Sequence, residues 1–355
     1  IFFMVMEWLK REVFKKSLVS PTIFRSVVRP LAYKIAQGDP EKVHELALDG
    51  LNEFEDAVRD VAPQFNFPLL HMDLCGREVM PFGTAAGLDK NGDAISPLSH
   101  LFGFQEVGTV VLNSREGNAR PRVAVDNGSQ DLYNAQGFPS KGLDYFLDKI
   151  GDYRRNGGEG VLLVSVCGIP PQADRLDVAR QELTTLLDRI GPYADGFVWN
   201  PFSPNTSALA ALRNPEEFRR NAELISEKAR DKLKLVKMGP YDDDATKRAE
   251  WLGLLDGWMS GGGDGVVLVN TYMVPKDKVP SLNWGYQSAG RSGRYLQHYR
   301  QRAITDAREA FPKAFIVATG GIDSGGQAWS AFEAGADALE GYTPYTFNGF
   351  GLMPQ

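Results

Sequence analysis

The sequence predicts an α/β fold, a (β/α)8 TIM barrel with an N-terminal helical extension. Three observations carry the prediction. From residue 66 onward, short apolar strands alternate with amphipathic helices eight times, the pattern of a parallel sheet closed on itself. Glycines and polar residues collect where those strands end, the face on which such barrels carry their chemistry. The first sixty-odd residues lack the alternation and are cationic and amphipathic instead. The chain therefore divides into an N-terminal amphipathic helical segment, 1–65, and a barrel domain, 66–355.

Between Glu7 and Lys34 seven basic residues (Lys10, Arg11, Lys15, Lys16, Arg25, Arg29 and Lys34) face two acids, Glu7 and Glu12, in a chain whose net charge is −6. Trp8, Leu9, Phe14, Ile23, Phe24, Val27, Val28 and Leu31 are interleaved with them. Cations and aromatics on one helical segment suit the surface of an anionic membrane. A solvated helix pair packed on the barrel is the plainer alternative. Asp39-Pro40-Glu41 then opens a helix, with an N-cap acid, proline at the first position and an acid in the first turn. Val43, Ala47, Leu51, Phe54 and Val58 share one face of it, and Pro63 ends it.

Leu70 to Met80 reads as a hairpin turning at Cys75-Gly76-Arg77. The eight barrel strands follow as Pro81–Ala85, Glu106–Val111, Val161–Val166, Gly196–Trp199, Leu235–Lys237, Val266–Val269, Phe315–Ala318 and Ala338–Gly341. Helical stretches between them include Asp177–Ile190, Pro215–Lys232, Asp244–Leu255, Tyr295–Phe311 and Gly326–Ala334. An open doubly wound sheet is the competing architecture, but no Gly-x-Gly-x-x-Gly follows the first strand.

At 355 residues, 43% hydrophobic and 24% charged, the composition is that of a globular protein with a sizeable core. The acidic balance and the lack of a basic-aromatic groove argue against nucleic-acid binding. Cys75 and Cys167 stand too far apart to suggest a disulfide framework or a paired metal site. No run reaches the ~18 apolar residues of a membrane span. Ile1-Phe-Phe-Met-Val-Met6 reads as the tail of a longer upstream segment, without a cleavable signal.

Chemistry concentrates at the strand ends. The fourth strand runs into Asn200-Pro-Phe-Ser-Pro-Asn-Thr206, which displays Ser203 between two amides able both to donate and to accept hydrogen bonds. The first runs into Ala85-Ala-Gly-Leu-Asp-Lys-Asn-Gly92, the second into Gly108-Thr109 and the sixth into Asn270-Thr271. The seventh ends in Thr319-Gly-Gly-Ile322 and the eighth in Gly341-Tyr-Thr343. Glycines after strands seven and eight form the usual phosphate site of this barrel, so a phosphate-bearing cofactor is expected. Lys90 and Lys237 sit at strand ends where one lysine can face an anionic ring and the other a substrate carboxylate. His44, His71, His100 and His298 all lie away from strand ends, so Ser203 has no activating histidine and reads as a proton acceptor.

These motifs, with Asp39-Pro-Glu-Lys-Val-His44, Glu106-Val-Gly-Thr109, Gly117-Asn-Ala-Arg-Pro-Arg122 and Ser292-Gly-Arg294, resemble those of the dihydroorotate dehydrogenases over essentially the whole chain. The N-terminal extension and a serine at position 203 resemble the membrane-associated, quinone-dependent class 2. The resemblance implies FMN-dependent oxidation of dihydroorotate to orotate in pyrimidine biosynthesis, with Ser203 removing the C5 proton. It implies that Lys90, Asn134, Asn200, Asn205, Asn270 and Thr271 hold the substrate. It assigns FMN to Ala86, Gly87, Lys90, Thr109, Asn200, Lys237, Ser292, Gly293, Gly320, Gly321, Tyr342 and Thr343. The implied partners are a membrane quinone and a peripheral membrane surface, on the cytoplasmic side of a bacterial inner membrane or on the mitochondrial inner membrane. No metal is implied.

The chain departs from the family pattern at Asn134-Ala-Gln-Gly-Phe-Pro139, Ser165-Val-Cys-Gly-Ile169 and Asn270-Thr-Tyr272. The arginine that faces the quinone head group in the family aligns with Val125, and a second polar position aligns with Ile35. His44 and Tyr342, near the same tunnel, remain. Losing a directional partner for a quinone carbonyl weakens binding by about 1–3 kcal/mol. A diverged FMN oxidoreductase with another acceptor or substrate is thus the second reading, and a catalytically weak FMN-binding or membrane-docking protein the third.

Overall fold

The computed structural model describes residues 2–202, 207–281 and 283–354. Strands β1 (Met72–Leu74) and β2 (Arg77–Val79) form the expected hairpin, paired from Met72↔Val79 to Leu74↔Arg77. There follow β3 (Phe82–Thr84), β4 (Phe104–Val110), β5 (Val123–Asp126), β6 (Asp131–Asn134) and β7 (Val161–Val166). The chain continues through β8 (Gly196–Trp199), β9 (Leu233–Met238), β10 (Gly265–Leu268), β11 (Tyr272–Pro275), β12 (Ser288–Gly293), β13 (Phe315–Ala318) and β14 (Ala338–Gly341). Strands β3, β4, β7, β8, β9, β10, β13 and β14 close into a parallel barrel in that order. These are the eight predicted strands, with ends moved by at most two residues.

Alternation along each strand sends every second side chain inward. Phe104, Leu163, Val198, Leu235, Val267, Val317 and Ala338 pack together inside, and Leu74 of the hairpin joins them at the N-terminal end. Gly83 is bare because the Phe104 ring occupies the space a Cβ would need, at 2.5 Å. The outward set, including Val107, Leu162, Val164, Phe197, Trp199, Val236 and Ile316, packs against the helices in the largest core. Trp199 stacks on Trp258 there at 5.9 Å. Both faces of the strands are buried, so they read as continuous apolar runs. Toward the C-terminal end the interior turns polar, with Glu106, Ser165, Lys237, Thr319 and Glu340 all buried.

Two features differ from expectation. Strands β11, β12, β6 and β5 form a separate antiparallel sheet whose Ala124, Tyr133, Val274, Ala289 and Trp284 make a small core. The sequence reading missed it because β12 is Ser-Ala-Gly-Arg-Ser-Gly, with no apolar run. Its partner β6 lies some 150 residues away along the chain, as in Gly290↔Asn134. Secondly, the single helix expected from Pro40 to Pro63 is two, Pro40–Glu53 and Glu55–Val61. Phe54 breaks it at φ −114°, ψ 37°, and packs on Phe14 with ring centroids 5.3 Å apart. Asp39 caps the first half as expected, its carboxylate accepting from the Glu41 and Lys42 amides at 2.9 and 3.3 Å.

The N-terminal segment begins with helix Phe2–Val19, turns at Pro21–Ile23, widens into a π-helical turn over Phe24–Val28 and continues as Arg29–Ile35. Leu18, Leu51, Val58, Val61 and Phe65 share a core with Leu88, Leu98, Leu101, Phe102 and Tyr345. Arg11 and Lys15 pair with Asp56 and Asp60 at the surface, where such contacts contribute little. The buried pair matters more. Arg122 Nη2 meets Glu41 Oε1 at 2.7 Å with both side chains under one-tenth exposed, tying the N-terminal helices to the barrel loops. Among the described residues no helix is long and apolar enough to cross a membrane.

Arg122→Ala would leave the buried Glu41 carboxylate with only the more exposed Arg120, 3.3 Å away, and would take the donor from the Glu116 and Asn118 carbonyls, so urea unfolding should show a loss of about 3 kcal/mol. The double variant Glu41→Leu/Arg122→Leu should recover most of that loss.

Candidate active site

A cavity opens at the C-terminal mouth of the barrel, between the strand ends and the antiparallel sheet. Its walls include Lys90, Thr109, Asn134, Asn200, Lys237, Asn270 and Thr271. Ala86, Gly87, Ser292, Gly320, Gly321, Tyr342 and Thr343 complete the set that the sequence singled out. Gly293 sits behind the wall, where a Cβ would strike Gln130 O and the Asp131 carboxylate at 2.5 and 2.6 Å. Ser203 and Asn205 lie outside the described residues.

The amides form a connected row. Asn200 Nδ2 donates to Thr109 Oγ1 at 2.9 Å, and Thr109 Oγ1 is 3.0 Å from Ser165 Oγ. Asn270 Nδ2 donates to Asn200 Oδ1 at 3.2 Å, and its own Oδ1 accepts from the Thr271 amide at 2.8 Å. Asn134 reaches the same cavity from β6 and donates to Gly290 O at 3.2 Å. Thr271 Oγ1 is buried without a hydrogen-bond partner among the described residues. Lys90 has no ion pair among them. Burial holds its ammonium below the ordinary lysine range, and Glu41 opposes that pull. A row of fixed amides beside an unpaired cation suits a flat ligand that carries ring N–H and C=O groups and a carboxylate.

The far end suits a phosphate. Gly320 and Gly321 turn at φ 93° and 72°, and among the described residues their amides donate to no protein acceptor. Ser292 Oγ and Thr343 Oγ1 lie beside them, 2.8 Å apart. Behind them Arg300 is 1% exposed and donates to Gly320 O at 2.7 Å, placing a cation behind the turn. A Cβ on Gly321 would meet Gly293 O at 2.8 Å, so only glycine lets the backbone pass here. Free amides, hydroxyls and a buried cation together fit the phosphate of the expected cofactor.

A second cavity, largely apolar, lies between the N-terminal helices and the barrel, lined by residues such as Phe14, Phe24, Val28, Val43, Ala47 and Leu51. Val123, Leu132 and Tyr342 face both cavities, so the two share a wall. His44 packs against Tyr342 with ring centroids 5.5 Å apart. Burial, then the nearby Lys90 charge, pushes the His44 imidazole down to about 3, so it is neutral at any working pH. Burial raises the Tyr342 phenol well above its usual range. Neither Val125 nor Ile35 lines this cavity, and Ile35 is 61% exposed. Arg29 does line it, donating to Thr346 O at 3.0 Å and Asn127 Oδ1 at 2.8 Å, with its guanidinium 4.9 Å from the Tyr33 ring centroid.

The sequence reading passed over Glu106, Glu340, Arg29 and Arg300. A signal existed for the first two, since a charge inside an apolar barrel strand is out of pattern. Arg29 and Arg300 carried no such signal, because each lies on a helix with at least one other cation.

Residues 69–355 match the family model described as dihydroorotate dehydrogenase. The dihydroorotate dehydrogenase (quinone) of Psychrobacter cryohalolentis is 30% identical over 339 residues, 92% of this chain and 94% of that protein. The protein of the same name from Bordetella avium is 32% identical over 327 residues, 89% of this chain and 91% of the relative. Among solved structures, Eimeria tenella DHODH in complex with ferulenol superposes with a TM-score of 0.71 at 25% identity, over 84% of this chain and 87% of that one. The ligand-free form from the same organism gives 0.72 at 25% identity, over 84% and 90%. With its barrel, its amide-lined cavity and these relatives, the chain belongs to the dihydroorotate dehydrogenase family, as a diverged member of class 2.

Proposed function

We propose that the protein oxidises dihydroorotate to orotate with FMN as its cofactor and hands the electrons to a membrane quinone. The observation that carries this reading is the wall of Val123, Leu132 and Tyr342, which separates a polar, amide-lined cavity from an apolar one. FMN, when bound, would supply the two-electron chemistry for the C5–C6 bond of the substrate. Ala86, Gly87, Thr109, Lys237, Ser292, Gly320, Gly321, Tyr342 and Thr343 would hold it, with Gly293 shaping the wall behind.

The chain's own residues do the rest. Lys90 pairs with the substrate carboxylate, and Asn134, Asn200, Asn205, Asn270 and Thr271 hold the ring by its alternating N–H and C=O groups. Ser203 takes the C5 proton while its own hydroxyl proton passes on to solvent. The quinone head group lies against Tyr342 and the neutral His44, with Arg29 as the cation lining the same cavity, and the tail packs along Phe14, Val28 and Leu51. Residues 1–65 would act as the membrane and quinone segment and 66–355 as the FMN barrel. Trp8, Leu9, Val27, Leu31 and Ile35 are exposed on helices rich in lysine and arginine. That combination suits peripheral binding to an anionic membrane surface.

The purified protein should show a flavin spectrum that bleaches when dihydroorotate is added without oxygen and recovers with a short-chain quinone; no bleaching would sink the assignment. Ser203→Ala should slow the bleaching by ~10²–10⁴-fold, the usual contribution of a positioned base, and an unchanged rate would remove Ser203 from that role. Lys90→Ala should weaken orotate binding by roughly tenfold to a hundredfold in a flavin-perturbation titration, as expected for one lost charge-assisted hydrogen bond. Leu31→Glu with Ile35→Glu should abolish co-sedimentation with anionic vesicles and leave dihydroorotate bleaching intact.

A further inference from the structure

Three ionisable side chains from three barrel strands meet under the cofactor cavity. Glu106 on β4, Lys237 on β9 and Glu340 on β14 are all at most 5% exposed, and Lys237 and Glu340 reach the cavity surface. Lys237 Nζ donates to Glu106 Oε2 at 2.6 Å and to Glu340 Oε1 at 2.9 Å. The two remaining oxygens, Glu106 Oε1 and Glu340 Oε2, are buried without a partner among the described residues. The one Lys237 ammonium bridges the two carboxyl groups and holds them side by side.

Two carboxylates against one ammonium would leave a surplus negative charge in the barrel interior, a costly arrangement. Each orphaned oxygen adds its own desolvation cost. One proton removes both problems. A carboxyl O–H directed at the neighbouring carboxylate would give the orphaned oxygens a partner, and the proton makes the cluster neutral, because two carboxylates sharing a site do not both ionise. The hydrogen bonds show which group keeps the proton. Glu106 Oε2 takes the shorter bond from Lys237 and a second, at 3.4 Å, from the Ala86 amide, so two donors favour its ionised form. Glu340 has one donor. Besides Glu106 and Lys237, the Tyr345 phenol faces Glu340 from the last helix, and it is neutral and donates to Met353 Sδ at 3.4 Å.

We propose that Glu340 is a protonated carboxylic acid bonded to ionised Glu106, and that this neutral cluster positions the Lys237 ammonium under the cofactor and sets the charge beneath its ring. Burial and the Glu106 carboxylate both push the Glu340 carboxyl upward, in the same sense. A ring that gains negative charge on taking two electrons is opposed by an anionic floor and not by a neutral one. The inference about the ring rests on the flavin reading of the cavity, whereas the proton on Glu340 does not.

Infrared spectra of the purified protein, with and without flavin, in H2O and D2O, test the proton directly. A carboxylic-acid carbonyl component should be present in the wild type and missing from Glu340→Gln; identical spectra overturn the proposal. Should the glutamine variant fail to fold, Glu106→Gln removes the carboxylate that holds the proton on Glu340 and should abolish that component, and an unchanged band is the overturning result. The charge is read from the bound flavin's reduction equilibrium against a dye of known potential. Glu340→Gln should leave that equilibrium within threefold of wild type. Glu106→Gln should do the same, because Glu340 then ionises against Lys237 and the cluster keeps its charge, whereas an anionic cluster would shift by tenfold or more, ~30 mV for a two-electron couple. A tenfold shift from Glu340→Gln would mean that an anion had been removed, and overturns the proposal. A protein that binds no flavin contradicts the cofactor assignment instead, and the infrared component still decides the proton.

Discussion

Closure of eight parallel strands is the constraint on which everything else depends. A closed sheet has an inside too narrow for water and too wide to leave unfilled, so every second residue must be chosen for volume. Phe104, Leu163, Val198, Leu235, Val267 and Val317 meet that demand over most of the depth. Only in the uppermost layer, where the strands open into the mouth, can polar groups replace them. There Glu106, Ser165, Lys237 and Glu340 partner one another and the site above. The fold thus dictates that the chemistry stands on a rigid floor.

The barrel was legible in the sequence because its strands are buried on both faces and its helices on one. Those two patterns survive without any knowledge of partners. Val161–Val166 and Phe315–Ala318 carry their assignments in their own residues. The strand ends were legible for the same reason: Lys90, Asn200, Asn270 and Gly320 are chemically conspicuous where an apolar run stops, and they line one cavity.

The rest was illegible because its meaning lies in distant partners. The sheet over the mouth joins segments far apart in the chain, and β12 reads as a flexible loop until Asp131–Asn134 is laid beside it. Phe54 sits at a helical spacing that fits an unbroken helix, and the contact with Phe14, forty residues earlier, accompanies the break. Glu340 is out of place as a charge within a barrel strand, but its purpose shows only when Lys237 and Glu106 arrive from across the barrel.

The wall shared by the two cavities has a further consequence. A water-soluble acid and a lipid-soluble oxidant have no common solvent in which to react. With one chamber open at the barrel mouth and the other roofed by the exposed Leu31 and Ile35 helix, each reactant can stay in its own phase. Tyr342, with a chamber on either side of it, then marks a phase boundary one side chain thick.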